Sequence, residues 1–236
     1  MVFRSHRNSA FNFGVRILKN REDAEDAVQL QVVNTTKEPT MTERTARILG
    51  GSVAGVFRAD WLARQPACGP VIAVDTWIRN VLARYSSALN REVCPFITPA
   101  FERCTVFYAP VMGCCSSDDV IAVMEELISI FEVLRPRDGA DARLKTLVAI
   151  FVDVQPEDSA RIVISAHREL KNLCTERGLM VGEFGPGYWL PSTRNAALNV
   201  GEAPVPVLVL RHMIVSDRRF LLTEDRWIAS WASRFG

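Results

Sequence analysis

No apolar run in the chain reaches the roughly 18 residues that a membrane-spanning helix requires. The N-terminus carries no hydrophobic segment followed by a small-residue cleavage site, so a cytoplasmic location is expected. Neither sign of charge dominates. The chain has 28 Lys and Arg side chains against 27 Asp and Glu, so no global field draws in nucleic acid or an anionic membrane, and neither is expected as a partner. Six cysteines occur, but none are spaced as CxxC or as a metal knuckle. A chain of 236 residues with 48% hydrophobic content forms a core without disulfide staples, so reduced thiols that pack as small apolar groups are expected. The GxGxxG, P-loop, HExxH and GxSxG patterns are also missing, which leaves nucleotide-binding, zinc-protease and serine-hydrolase chemistries without support.

What remains is a mixed helix and strand pattern. Residues 1–40 are weakly periodic, with an acidic patch from Glu22 to Asp26, and read as a poorly ordered N-terminal arm; residues 41–236 read as a single α+β domain. Val71, Val74, Ile78, Val81, Leu82, Tyr85 and Leu89 recur at helical spacing and predict a helix over 71–89. Pro95 and Pro99 keep the next segment out of a helix, and a strand is expected over 105–108. A second helix follows to about Leu134. Ser116 or Ser117 caps it, Asp118 and Asp119 suit its positive end, and Pro136 and Gly139 stop it.

A strand over 147–152, a third helix beginning near Pro156, and strands at 179–184 and 205–210 come next. Thr223 then caps a last helix that buries Trp227, Ile228, Trp231 and Phe235. From Thr105 onward the order is βαβαββα. The expected fold is α+β (mixed α/β), with a mixed sheet of about four strands, helices packed on it, and a helical N-terminal extension.

The stretch 178–222 concentrates the candidate site residues. It joins two apolar strands through a Gly/Pro/aromatic loop, Gly185 to Trp189, of the kind that walls a pocket. Tyr188 and Trp189 either stack on a planar ligand or plug the core. Glu183 ends an apolar strand and, if buried, needs a partner, for which Arg211 or Arg194 is available; a structural ion pair and a carboxylate that grips a cationic substrate both remain open. His212 follows a buried strand, and alternation puts Arg211 and Met213 on the face opposite to it. It is either a satisfied structural histidine or a binding group. His167 sits on an apolar helix face, where a bond to a backbone carbonyl is the simpler reading. Cys94, in the VCPF segment, reads as a buried thiol before a turn, an activated thiolate or a soft ligand to haem iron.

The segments VCPF (93–96), GLMVGEF (178–184) and PVPVLVLRHMIVSDRRFL (204–221) resemble an uncharacterised family of small bacterial domains, frequent in actinobacteria and near specialised-metabolite genes. The resemblance covers about residues 70–222. That family is distantly similar to small haem proteins that N-hydroxylate amines or guanidines. In its pattern GEF is often followed by His, whereas this chain has Gly185. The resemblance therefore implies a haem-dependent oxygenase in which His212, or else Cys94, holds the iron beside Arg211. Tyr188 and Trp189 would line the pocket and Glu183 would hold a cationic substrate. The alternative is a cofactor-free small-molecule-binding or accessory protein, whose loop at 185–189 takes a small ligand.

Overall fold

The computed structural model describes residues 52–53, 55–63, 69–192 and 194–236. The arm expected over 1–40, and with it the N-terminal extension, lies outside the described residues. Two short strands, β1 (Ser52–Val53) and β2 (Phe57–Arg58), come first, followed by a 3-10 turn at Ala59–Ala63. Helix α1 (Gly69–Trp77) runs into a π-turn at Ile78–Leu82, and a small hairpin of β3 (Tyr85–Ser86) and β4 (Arg91–Glu92) leads to α2 (Ile97–Glu102). Then come β5 (Val106–Met112), α3 (Ser117–Val133), α4 (Gly139–Ala142), β6 (Thr146–Phe151), α5 (His167–Glu176) and β7 (Leu179–Phe184). A second hairpin, β8 (Pro191–Ser192) with β9 (Asn195–Asn199), precedes β10 (Val207–His212) and α6 (Asp225–Phe235).

The main sheet has the order β1-β5-β6-β10-β7, with β2 also paired to β5. β5 and β6 are parallel, while β10 runs antiparallel to both β6 and β7. The four long strands form the expected mixed sheet, and β1 and β2 extend it. Pro110, which has no N–H to donate, falls between the β2 pairing at Phe107 and Tyr108 and the β1 pairing at Val111 and Met112.

The sheet is buried on both faces. Leu208 and Leu210 of β10 belong to a core with Leu127, Phe131 and Leu170 of helices α3 and α5. Val207, one residue out of phase, packs with Val74, Trp77 and Ile78 of the α1 segment on the opposite face. Helix α3 matches its sequence signals. Ser116 accepts from Asp119 N at 3.2 Å, the Asp119 carboxylate accepts from Ser116 N at 3.0 Å, and the expected apolar face from Val120 to Phe131 is buried.

Three expectations are corrected. The helix expected over 71–89 ends at the π-turn, where Ala83 N donates to Ile78 O at 2.9 Å. The extra residue per turn rotates the helical phase, so Val81 is exposed and Tyr85 becomes an exposed hairpin residue. The third helix is broken into a 3-10 turn at Pro156–Asp158, a π-turn at Ala160–Ile164 and the regular α5. Glu224 rather than Thr223 takes the N-cap position of α6, and its carboxylate pairs with Arg168 instead of closing the cap.

At the far end of α3, the fully buried Lys145 donates from Nζ to Phe131 O and Leu134 O, both at 2.8 Å, and lies over the Phe131 ring at 4.5 Å. Two carbonyls that the helix itself cannot satisfy are met by a side chain from the start of β6. Replacing it by methionine (K145M) keeps the volume and removes both donors. A loss of about 2–3 kcal/mol in urea unfolding free energy is expected.

Candidate functional site

A cavity of about 420 Å³ opens beneath the α1 segment, within the size range of small-molecule sites. Its floor is the sheet face that carries Val148, Val209, Arg211 and Met180, and its roof comes from Trp77, Leu82, Phe96 and Ile97. The β8 hairpin contributes Leu190 and Arg194. At the edge strand β7 the lining continues past the sheet to His167, Lys171 and Glu183.

β10 and β7 position this end of the cavity through their register, which sets Arg211 opposite Met180 and Leu208 opposite Glu183. Glu183 thus points toward α5, where His167 stands at the first turn. His167 Nε2 donates to Glu183 Oε2 at 2.7 Å and lies 3.1 Å from Val181 O, and the Tyr188 hydroxyl donates to Glu183 Oε1 at 2.7 Å. Burial pushes the Glu183 carboxyl up, but the bonds from His167 and Tyr188 outweigh it and hold the group below its ordinary value. Burial, and then the Glu183 carboxylate, push the Tyr188 phenol up. With Nε2 committed to Glu183, Nδ1 is the ring nitrogen of His167 left for a further bond.

Arg211 is held differently. Its two terminal nitrogens form a bidentate pair with Asp217 at 2.7 and 2.6 Å, and Asp217 also accepts from Ile214 N at 2.8 Å. The expected pairing of Glu183 with Arg211 or Arg194 is therefore replaced by two separate contacts, Glu183 with His167 and Arg211 with Asp217. Asp217 is buried and saturated.

The remaining sequence candidates separate. Cys94 lines the cavity; burial pushes its thiol up, while the Phe96 and Ile97 backbone N–H groups and the nearby Arg211 charge pull it down without reversing the shift. His212 does not line the cavity. It lies on the opposite sheet face, with its ring 5.1 Å from that of Phe131, and its buried Nε2 has no hydrogen-bond partner among the described residues. Burial and the neighbouring Lys145 charge lower its pKa. Tyr188 reaches the site only through Glu183, and Trp189 is 60% exposed and does not line the cavity. At Gly185 a Cβ would meet Ser159 Oγ at 2.7 Å, so a side chain there requires Ser159 to move.

Sequence reasoning missed Arg91, Lys171, Asp217 and Arg219, which all line the cavity. Arg91, on a two-residue strand, carries no periodic or motif signal. Asp217 had one, since a carboxylate three residues past Ile214 fits the start of the 3-10 turn at Val215–Phe220.

The Glu183 network makes stability depend on acid. The folded carboxyl is held below the ordinary 4.5, so the unfolded chain takes up its proton first as pH falls. The Glu183 contribution is complete above that ordinary value and is lost as pH falls through the lower folded value. E183Q should therefore be less stable than the parent protein by about 1–3 kcal/mol at pH 7. Denaturant midpoints measured from neutral pH downward should show that gap constant to about pH 5 and closing below it.

No curated protein and no solved structure matches the chain. A family model described as a domain of unknown function (DUF6875) matches residues 71–236, a span that holds every cavity-lining residue named above and extends through α6. By that match the chain belongs to the DUF6875 family.

Proposed function

We propose that this protein binds a small, largely apolar molecule in the cavity between the α1 segment and the sheet, without a resident cofactor. The observation that carries the reading is the cavity itself. It is walled by Trp77, Leu82, Ile97, Val148 and Val209, in a domain whose other apolar side chains pack closely against one another. Water that fills a cleft of this size along apolar walls is displaced favourably by an apolar ligand. Of the polar groups around it, Glu183, Arg211 and Asp217 are held by their own bonds, an arrangement that orients a ligand without spending its binding energy on reordering those side chains.

Val209 lies across from Gly182, so V209F projects a ring into the cavity without a side chain opposite on β7. The neutral dye Nile red should bind the parent protein at one site and V209F about tenfold more weakly or worse, with the fold retained by circular dichroism. Equal binding by a folded V209F would remove the cavity from consideration.

A second reading keeps a haem-dependent oxygenase acting on a small amine or guanidine, and the observation that favours it is the Cys94 sulfur on the cavity wall. Haem bound there would supply the oxygen chemistry. The chain's part would be to hold it through Cys94, with the Phe96 and Ile97 N–H groups behind the sulfur, and to exclude water with the apolar walls. His212 does not fit as a ligand in this cavity, because the sheet lies between them. Protein purified from cells supplied with a haem precursor should then show a Soret band that shifts with dithionite, persists in H212A and disappears in C94A. A featureless spectrum without iron would leave the cofactor-free reading alone.

A further inference from the structure

We propose that the ligand of this cavity is an apolar molecule with a single anionic headgroup, a carboxylate of the fatty-acid or aryl-acid type, gripped by the Arg91 guanidinium. The proposal rests on the cavity reading above and adds the charge and orientation of what fills it.

Five cationic side chains line the cavity, Arg91, Lys171, Arg194, Arg211 and Arg219, against two carboxylates, Glu183 and Asp217. Both carboxylates are already engaged. Asp217 is held by Arg211 through both oxygens, and Glu183 by His167 and Tyr188. Glu183 is outnumbered by the surrounding cations, and at Asp217 a cationic ligand would have to displace Arg211 and leave a half-buried guanidinium without its partner. That cost exceeds what a new pair returns.

The cations differ in the same respect. Arg211 is neutralised by Asp217, and Lys171 donates to Phe220 O at 2.9 Å and sits over the Trp227 ring. Arg194 and Arg219 are exposed, with Arg219 stacked on Phe220. Arg91 is half-buried; its Nε is sealed from solvent, and none of its side-chain nitrogens has a hydrogen-bond or salt-bridge partner among the described residues.

A guanidinium cannot shed its charge at any accessible pH, and a ligand carboxylate supplies the acceptor that the described residues do not. A carboxylate matches the guanidinium fork with two parallel bonds, while a tail lies along Leu82, Val148 and Val209. Arg194 and Arg219 add long-range attraction that favours entry of an anion over a cation.

The test is equilibrium binding of three probes with the same number of carbons, ten, in an unbranched chain, decanoate, decanol and decylamine, to the full chain at low and moderate salt. Decanoate should bind about tenfold more tightly than either of the others, and R91M should erase that preference while still taking up Nile red. R91K, which keeps the charge but not the fork, should fall between the two and stands in if R91M does not fold. Equal binding of the alcohol or the amine, or an undiminished preference in R91M or R91K, would overturn the anionic assignment and leave the cavity reading intact. If none of the three binds while Nile red does, the assignment also fails; if Nile red fails too, the cavity reading goes with it.

Discussion

The structure depends on the double-sided burial of β10. This strand pairs with β6 on one side and β7 on the other, and its alternate residues feed two different cores. An antiparallel register of that kind cannot slip by one residue without turning Leu208 and Leu210 toward the cavity and Val207 and Val209 into the α3 and α5 core. The layout of the candidate site follows from this phase. It places Arg211 over the cavity and His212 against Phe131, and it sets Glu183 on the α5 side of β7, where His167 meets it.

The charged groups around the cavity show how burial is tolerated. Each buried or half-buried acid has its own donors: Asp217 has a bidentate arginine and a backbone N–H, and Glu183 has an imidazole and a phenol. Lys145 solves the same problem on the other face by donating to helix-end carbonyls. Arg91 stands apart from this pattern. In a domain that otherwise pairs its half-buried charges, a guanidinium without an acceptor among the described residues gives the cavity a chemical direction as well as a shape.

Much of the fold was legible in the sequence, because local rules and tertiary packing agree there. Helix α3 carries its capping serine, its first-turn aspartates and an apolar face at regular spacing, and the structure keeps all three. The four long strands are bounded apolar runs, and Gly178 ends α5 with a φ of +74°, as a helix-stop glycine does. Legibility fails where the helical phase changes. The two π-turns, at Ile78–Leu82 and Ala160–Ile164, each insert a residue into a helical path, and no periodicity count anticipates an insertion that packing alone rewards. The candidate site was legible as a region, since Cys94, Glu183 and Arg211 do meet at one cavity, but not as a set of bonds.

The sequence by itself determined the class of the fold, the helices and strands with strong local signals, and the alternation that parts Arg211 from His212, because these depend on neighbours within a few positions. Only the tertiary structure decided who pairs with whom. Glu183 takes His167 from sixteen residues upstream rather than Arg211, and Asp217 takes Arg211. Arg91, from a hairpin without any sequence signature, joins Lys171 and Arg219 around one cavity. Partner choice among charges is set by distance and by the cost of leaving any of them buried alone, and those quantities exist only once the chain has closed on itself.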